Sequence, residues 1–291
     1  MRLFPIRFWV FLLMSLLLFS CLPNKKWVVG STAKLLEEVA RSSSKQTDLR
    51  MIREGMPAFL MLIDGMIEAL PENDQLLITA AQSYSSFVSA FLDEKDKEYA
   101  KFLLGKARHY ALRSLEIRGF KNPAERPLDD FQKALRRLGK KEVPYLFWSA
   151  TCWANWINYH LDSMEALSEL PRVEWMMKRV LELDEGFYYG GAHLFMGIWF
   201  ASRPKIAGGD LKKSQDHFLR AIDLGKGKFL MGYVYYAEHY ARMAQDKELF
   251  TSTLQKVLNT SLDIVPELTL LNTVAQKRAR ELLHRQDEYF E

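Results

Sequence analysis

An all-α fold, built as an array of helical hairpins, is what this sequence predicts, and three observations carry that prediction. Apolar residues recur at spacings of three and four along most of the chain from Asp48 onward. Strictly alternating runs rich in Val, Ile and Thr, the mark of half-buried strands, are absent. Short breaks divide the helical segments into neighbours close enough to fold back as antiparallel pairs. Composition agrees. Of 291 residues, 48% are hydrophobic and 26% charged, with only two Cys, which excludes a disordered chain, a collagen-like repeat and a disulfide-stapled scaffold. Forty basic against 36 acidic residues leave a formal charge of +4, a near balance that gives no sign of a nucleic-acid partner.

The amino terminus comes first. Arg2 and Arg7 accompany an apolar run, Phe8 to Phe19, interrupted only by Ser15, and no acidic residue appears before Glu37. The run has the length of a signal-peptide core and is too short for a comfortable bilayer span. It ends in Leu18-Phe19-Ser20-Cys21, which resembles a bacterial lipobox. By that resemblance residues 1–20 are a lipoprotein signal peptide, and Cys21 becomes the acylated first residue of the mature chain. Acyl chains bury methylenes at ~0.8 kcal/mol each, which tethers a folded body to a membrane. The rival reading is an uncleaved anchor, or an ordinary signal peptide with an incidental Cys. If Cys21 is acylated, Cys152 has no intrachain partner. Residues 21–47 then hold the lipidated Cys, a tether and the approach to a first helix.

From 48 to 291 a single helical domain is predicted. Asp48–Leu70 carries Ile52, Met56, Phe59, Leu60, Ile63 and Ile67 on one face, and Pro71-Glu72-Asn73-Asp74 breaks it while capping the next helix, Asp74–Leu92. A third helix, about Lys95 to Arg118, stops at Gly119; its expected stripe is Tyr99, Phe102, Leu103, Lys106 or Ala107, Tyr110, Ala111, Ser114 and Leu115. Phe120–Val143 is punctuated by Gly and Pro and reads as looser chain. Further helices are expected at Pro144–Leu161, Arg172–Leu183, Phe187–Ser202, Leu211–Leu224, Phe229–Ala244, Lys247–Leu262 and Pro266–Arg285. Some pairs rhyme. Phe218, Ala221 and Leu224 repeat the small-after-aromatic spacing of tetratricopeptide (TPR) units, and Phe250, Leu254, Val257 and Leu258 look like another. The fold class is therefore a superhelical array of degenerate TPR-like hairpins, with an irregular helical bundle as the alternative.

Chemistry is sparse. None of the six His belongs to a helical zinc motif or to a Cys/His ligand pair, so no metal and no cofactor is predicted. No nucleophile motif of the Gly-x-Ser-x-Gly type occurs. Gly208-Gly209-Asp210 lacks the Lys-Ser/Thr ending of a phosphate loop and reads as a turn with Asp210 as N-cap. Arg203 and Lys205 flank Pro204 just before it, either as anion contacts or as a solvated loop. Gly190-Gly191 sits in an apolar run read as helix interior, where each Gly costs ~1 kcal/mol relative to Ala; close helix packing and a ligand channel both explain it. Trp148, Trp153 and Trp156, with Asn155 and Asn158 between and beyond them, make a helix apolar over most of its circumference. Core packing and an amphipathic cavity wall are both open for these residues, and for Trp199.

One segment is diagnostic. Tyr188-Tyr189-Gly190-Gly191-Ala192-His193, then Arg203-Pro204-Lys205-Ile206-Ala207-Gly208-Gly209-Asp210, then Ser214-Gln215-Asp216-His217-Phe218 is similar to the bacterial TRAP transporter T-component family. Gly208, Gly209, Phe218 and Ala221 fill that family's Gly-Gly and Phe-x-x-Ala places, and Tyr235, Tyr236 and Ala237 fit its next helix. The resemblance implies a non-enzymatic periplasmic lipoprotein, held at the membrane through acylated Cys21. It would be accessory to a tripartite ATP-independent transporter and dock its periplasmic solute-binding protein. It also implies a homo-oligomer, a trimer being one arrangement, with a channel or cleft passing a small hydrophobic or organic-acid ligand. On this reading Trp148, Trp153, Trp156, Trp199, Gly190 and Gly191 are the channel candidates, and Arg203, Lys205, Gly208 and Gly209 the partner-loop candidates. A generic lipoprotein scaffold for envelope assembly is the competing function, and an enzyme with an unrecognised site the third.

Overall fold

The computed structural model describes residues 38–290. The predicted signal peptide and Cys21 lie outside them. Residues 38–44 are helical, and twelve α-helices follow between Leu49 and His284, with no strand among the described residues. They are α1 (Leu49–Ala69), α2 (Asp74–Phe91), α3 (Lys97–Ile117), α4 (Leu128–Leu135), α5 (Val143–Asn158), α6 (Met164–Ser168), α7 (Leu170–Asp184), α8 (Phe187–Ala201), α9 (Leu211–Leu224), α10 (Met231–Tyr235), α11 (Lys247–Asn259) and α12 (Thr269–His284).

Caps set several of the starts. Asp48 accepts from Met51 N–H at 3.0 Å, Asn73 from Leu76 N–H at 3.0 Å, Asp210 from Lys213 N–H at 3.1 Å and Asp246 from Leu249 N–H at 2.8 Å. Each such cap contributes ~1 kcal/mol. α3 ends at Gly119, which takes φ +95°, and Phe120 N–H returns to the Leu115 carbonyl at 2.9 Å. No helix among the described residues is long and apolar enough to cross a membrane.

Most helices pack on near neighbours in chain order, while α4 packs on α7 and α5 packs against both α2 and α3. The array curls until α12 touches α1. A large core joins α1 to α8, with Trp153, Phe131, Ile63 and Leu104 among its most buried side chains. A second core lies under α10, α11 and α12 and buries Phe250, Leu254 and Val257. Between them sits a smaller cluster of Leu194, Phe218, Ala221, Phe229, Tyr236 and Leu268. The Phe218 and Ala221 pair, flagged by its TPR-like spacing, is thus the hinge of packing between the two bodies.

Three elements differ from the sequence expectation. The looser stretch Phe120–Val143 contains α4, whose Phe131 and Leu135 are buried and whose Phe131 ring meets Phe120 edge-on at 5.0 Å. Two apolar residues one turn apart are too short a pattern to reveal a helix. The buried face of α3 keeps Leu103, Ala107, Ala111, Ser114 and Leu115 of the expected stripe and adds Ala100, Leu104 and Leu112, whereas Tyr99 and Phe102 are 48% and 63% exposed. The expected helix Phe229–Ala244 is α10 followed by a π-helical turn, Tyr236–Ala241. Such wide turns often accompany functional sites.

Candidate functional site

The concave interior of the curled array encloses a cavity of about 310 Å³, the size of a small-ligand site. Helices from both ends of the chain build it. α2 and α5 supply one wall, including Ser85, Thr151, Ala154 and Asn155. The opposite wall comes from α8, the start of α10 and α12, including Leu194, Phe195, Phe229, Met231, Leu271 and Val274. Ile52 and Met56 of α1 complete it. Among the described residues no Asp, Glu, Lys, Arg or His lines the space.

The wall is shaped by a backbone feature that periodicity does not reveal. Tyr188, Tyr189 and Gly190 all take left-handed dihedrals, with φ of +48°, +58° and +74°. The apolar run therefore begins with a left-handed turn, and only beyond it does α8 continue as a regular helix, so Gly190-Gly191 is not helix interior as the sequence pattern suggests. Non-glycine residues in this region cost about 1–2 kcal/mol each, and aromatic packing offsets that strain. Tyr188 meets Trp148 edge-on at 4.8 Å, and Tyr189 stacks on Phe229 at 5.2 Å. The glycines permit the chain to pass. A Cβ on Gly190 would lie 2.9 Å from Ala221 Cα, and one on Gly191 would lie 2.5 Å from the Phe147 ring.

The polar groups of the cavity sit mainly on the α2–α5 wall. Asn155 donates its Nδ2 to Ser85 Oγ at 2.8 Å, and Thr151 returns its hydroxyl to the Phe147 carbonyl at 2.9 Å. Two phenols, Tyr188 and Tyr235, also line the space. Burial raises both above the ordinary tyrosine range, which keeps their hydroxyls protonated as donors. Neither hydroxyl has a hydrogen-bond partner among the described residues. No motif marks the serines of α2, whereas the two tyrosines fall in segments that resemble the family; only the fold brings the set together.

Of the channel candidates, Trp148 and Gly191 belong to this wall. Gly190 packs instead on α9. Trp153 is fully buried and donates its indole N–H to Glu169, which also pairs with Arg108 at 2.8 Å. The Arg108 guanidinium lies 5.0 Å from the Trp153 ring and 4.4 Å from that of Trp156, which also stacks on His160 at 4.4 Å. Trp199 lies 3.2 Å beneath the Arg203 guanidinium. These three tryptophans hold cations and core outside the cavity.

The partner-loop candidates form a rigid turn. Gly208 is left-handed at φ +87°, and a Cβ on Gly209 would fall 1.8 Å from the Arg203 carbonyl oxygen. The N–H groups of Gly208, Gly209 and Asp210 bond to the carbonyls of Lys205, Pro204 and Phe200. No N–H of this trio is left to cradle an anion. Ile206 stands at the tip, 98% exposed, directly after Lys205.

Two further polar clusters lie away from the cavity. Asp64 accepts from Tyr84 at 2.7 Å and Tyr110 at 2.9 Å and pairs with Lys106. It is a satisfied network beside an open groove of about 640 Å³ between α1 and α3. Cys152 is fully buried with its thiol pushed up to about 12 by burial, an unreactive position. Among the described residues no three His, Cys, Asp or Glu side chains group as metal ligands would.

The second cluster joins α8 to α9. His193 and His217 approach Nδ1 to Nδ1 at 2.8 Å, His193 Nε2 reaches Glu185 at 3.1 Å, and Arg220 pairs with the same carboxylate. With His193 Nε2–H donating to Glu185, its Nδ1 accepts and His217 Nδ1–H donates. Burial, and then the neighbouring His193, hold His217 down to about 4. Burial lowers His193 as well, opposed by Glu185. The unfolded chain therefore binds more protons than the fold between about pH 6.5 and 4. Stability is fully present above that window and falls as pH drops through it. We expect a loss on the order of 1–2 kcal/mol between pH 7.5 and 4.5, discounted for partial exposure. Urea midpoints at the two pH values measure it, and His217→Gln should flatten the dependence; an unaltered slope in that variant would remove the pair as its cause.

The family described as TRAP transporter T-component matches residues 45–290 of the chain. A protein of Treponema pallidum (strain Nichols), described as uncharacterized, is 22% identical over 272 residues, covering 87% of this chain and 84% of that protein.

Proposed function

The chain belongs to the TRAP transporter T-component family, and from that premise we propose that it is a lipid-anchored periplasmic accessory which docks the solute-binding protein of a TRAP system and passes a small apolar ligand through its interior. The family is a transporter component rather than an enzyme family. The observation that carries the reading is the cavity: an apolar space of ligand size, walled by both ends of the array and lined by no charged side chain among the described residues. Stacked helical hairpins commonly present curved binding surfaces. An anchor at Cys21 would hold a docked partner near the membrane and raise its effective concentration. The Arg203–Gly209 loop, with its exposed Ile206 following Arg203 and Lys205, is the docking epitope we assign, on the same chain as the cavity but outside its wall.

Cross-linking and affinity capture of the tagged full-length protein from its own host tests the docking step. A periplasmic solute-binding protein recovered in near-stoichiometric amount is the expected result. Recovery of envelope-assembly proteins without any binding protein would favour a lipoprotein scaffold instead. The anchor has its own check. Cys21→Ser is expected to abolish incorporation of a metabolic fatty-acid label, and undiminished labelling would remove Cys21 as the acylation site.

A further inference from the structure

We propose that the cavity selects an uncharged, largely apolar molecule whose polar head both donates and accepts hydrogen bonds, such as an amide or alcohol, and discriminates against the carboxylate of the same size. This rests on the cavity being the ligand site. The argument begins with what the wall lacks. A carboxylate entering an apolar interior loses hydration worth several kcal/mol and needs a cation or several donors to compensate. Among the described residues no lining residue is charged. Neighbouring cations are engaged elsewhere: Arg278, one turn beyond Val274 on α12, pairs with Glu238 at 2.7 Å, and Arg108 behind α5 pairs with Glu169.

What the wall offers is a matched set of neutral groups. Asn155 gives Nδ2 to Ser85, leaving its carbonyl oxygen without a partner among the described residues. That oxygen takes a proton donor and repels an anion. The hydroxyls of Tyr188 and Tyr235 take an acceptor. A primary amide or an alcohol satisfies both, whereas a carboxylate has no proton to give Asn155. The remaining wall, with Leu194, Phe195, Phe229 and Leu271, suits a hydrocarbon tail. The volume of about 310 Å³ equals roughly ten waters at ~30 Å³ each, which fits an eight-carbon chain with its head.

The test compares octanamide, octan-1-ol and octanoate at pH 8, titrated calorimetrically into the full-length protein in lipid nanodiscs, with empty nanodiscs subtracted. Octanamide and octanol are expected to bind at least ~10-fold more tightly than octanoate. Asn155→Leu should weaken octanamide and narrow that gap. Tyr235→Phe, which removes a single hydroxyl and keeps the ring, should weaken octanamide several-fold and serves if the Asn155 variant does not fold. Octanoate binding as well as octanamide would overturn the selectivity while leaving the cavity a ligand site. Binding of none of the three would overturn the ligand-site reading itself, and this inference with it.

Discussion

Asn272→Leu is expected to lower the stability of the protein by about 3 kcal/mol, read as a drop in urea midpoint at unchanged slope. Asn272 is fully buried on α12, where its Oδ1 accepts from Leu230 N–H at 3.0 Å and its Nδ2 donates to the Lys228 carbonyl at 3.0 Å. Both backbone groups belong to the turn that leads into α10, where no helical partner is available to them. Leucine matches the volume but orphans the two, at about 1–3 kcal/mol each; its apolar burial returns part of that loss. A midpoint shift below half the expected size would mean that water or a backbone adjustment satisfies the turn. Leu271 and Val274 ride on the same helix, and Phe229 and Met231 flank the same turn. The cavity wall and this hydrogen-bond pair are therefore one structural unit.

Ala154→Phe should produce the largest effect on ligand binding while sparing the fold. Ala154 lines the cavity on α5 and is only partly buried, so a phenyl ring can grow into space instead of into packed atoms. Octanamide affinity is expected to fall at least ~10-fold, about 1.4 kcal/mol, with a thermal midpoint within a few degrees of the parent. Unchanged affinity in a folded variant would show that the ligand sits elsewhere. Gly191→Ala makes a poorer probe, because its new Cβ would press on Phe147 and confuse blocked space with strain.

Helix existence was legible wherever a long apolar stripe met a capping residue, as at Asp48, Asn73 and Asp210. The stripe of α3 was legible only in part. Tyr99 and Phe102 have the composition of core, yet among the described residues that side of the helix is left exposed, and Leu104 and Leu112 join the buried face. The left-handed turn at Tyr188–Gly190 was hidden for a different reason. Tyrosine has no preference for positive φ, so only tertiary packing on Trp148 and Phe229 makes it stable there. The tryptophans of α5 show how far residue type carries. Trp148 and Trp153 share a helix and a chemistry, and their fates diverge through partners distant in sequence: Tyr188 for the first, Glu169 and Arg108 for the second. The serines and asparagine of the cavity become a set only when α2 and α5 lie side by side.

The meeting of α12 with α1 changes the kind of object the array is. A linear stack of hairpins has two free ends, so it frays from either, its stability accumulates unit by unit, and further units can be appended indefinitely. Here the last helix rests on the first, and losing either one strips cover from the other. Fraying at one terminus is coupled to fraying at the other, so the array should melt as a whole instead of peeling away in steps. The same closure makes any hairpin packed onto the exposed end of α1 or α12 compete with the contact between them.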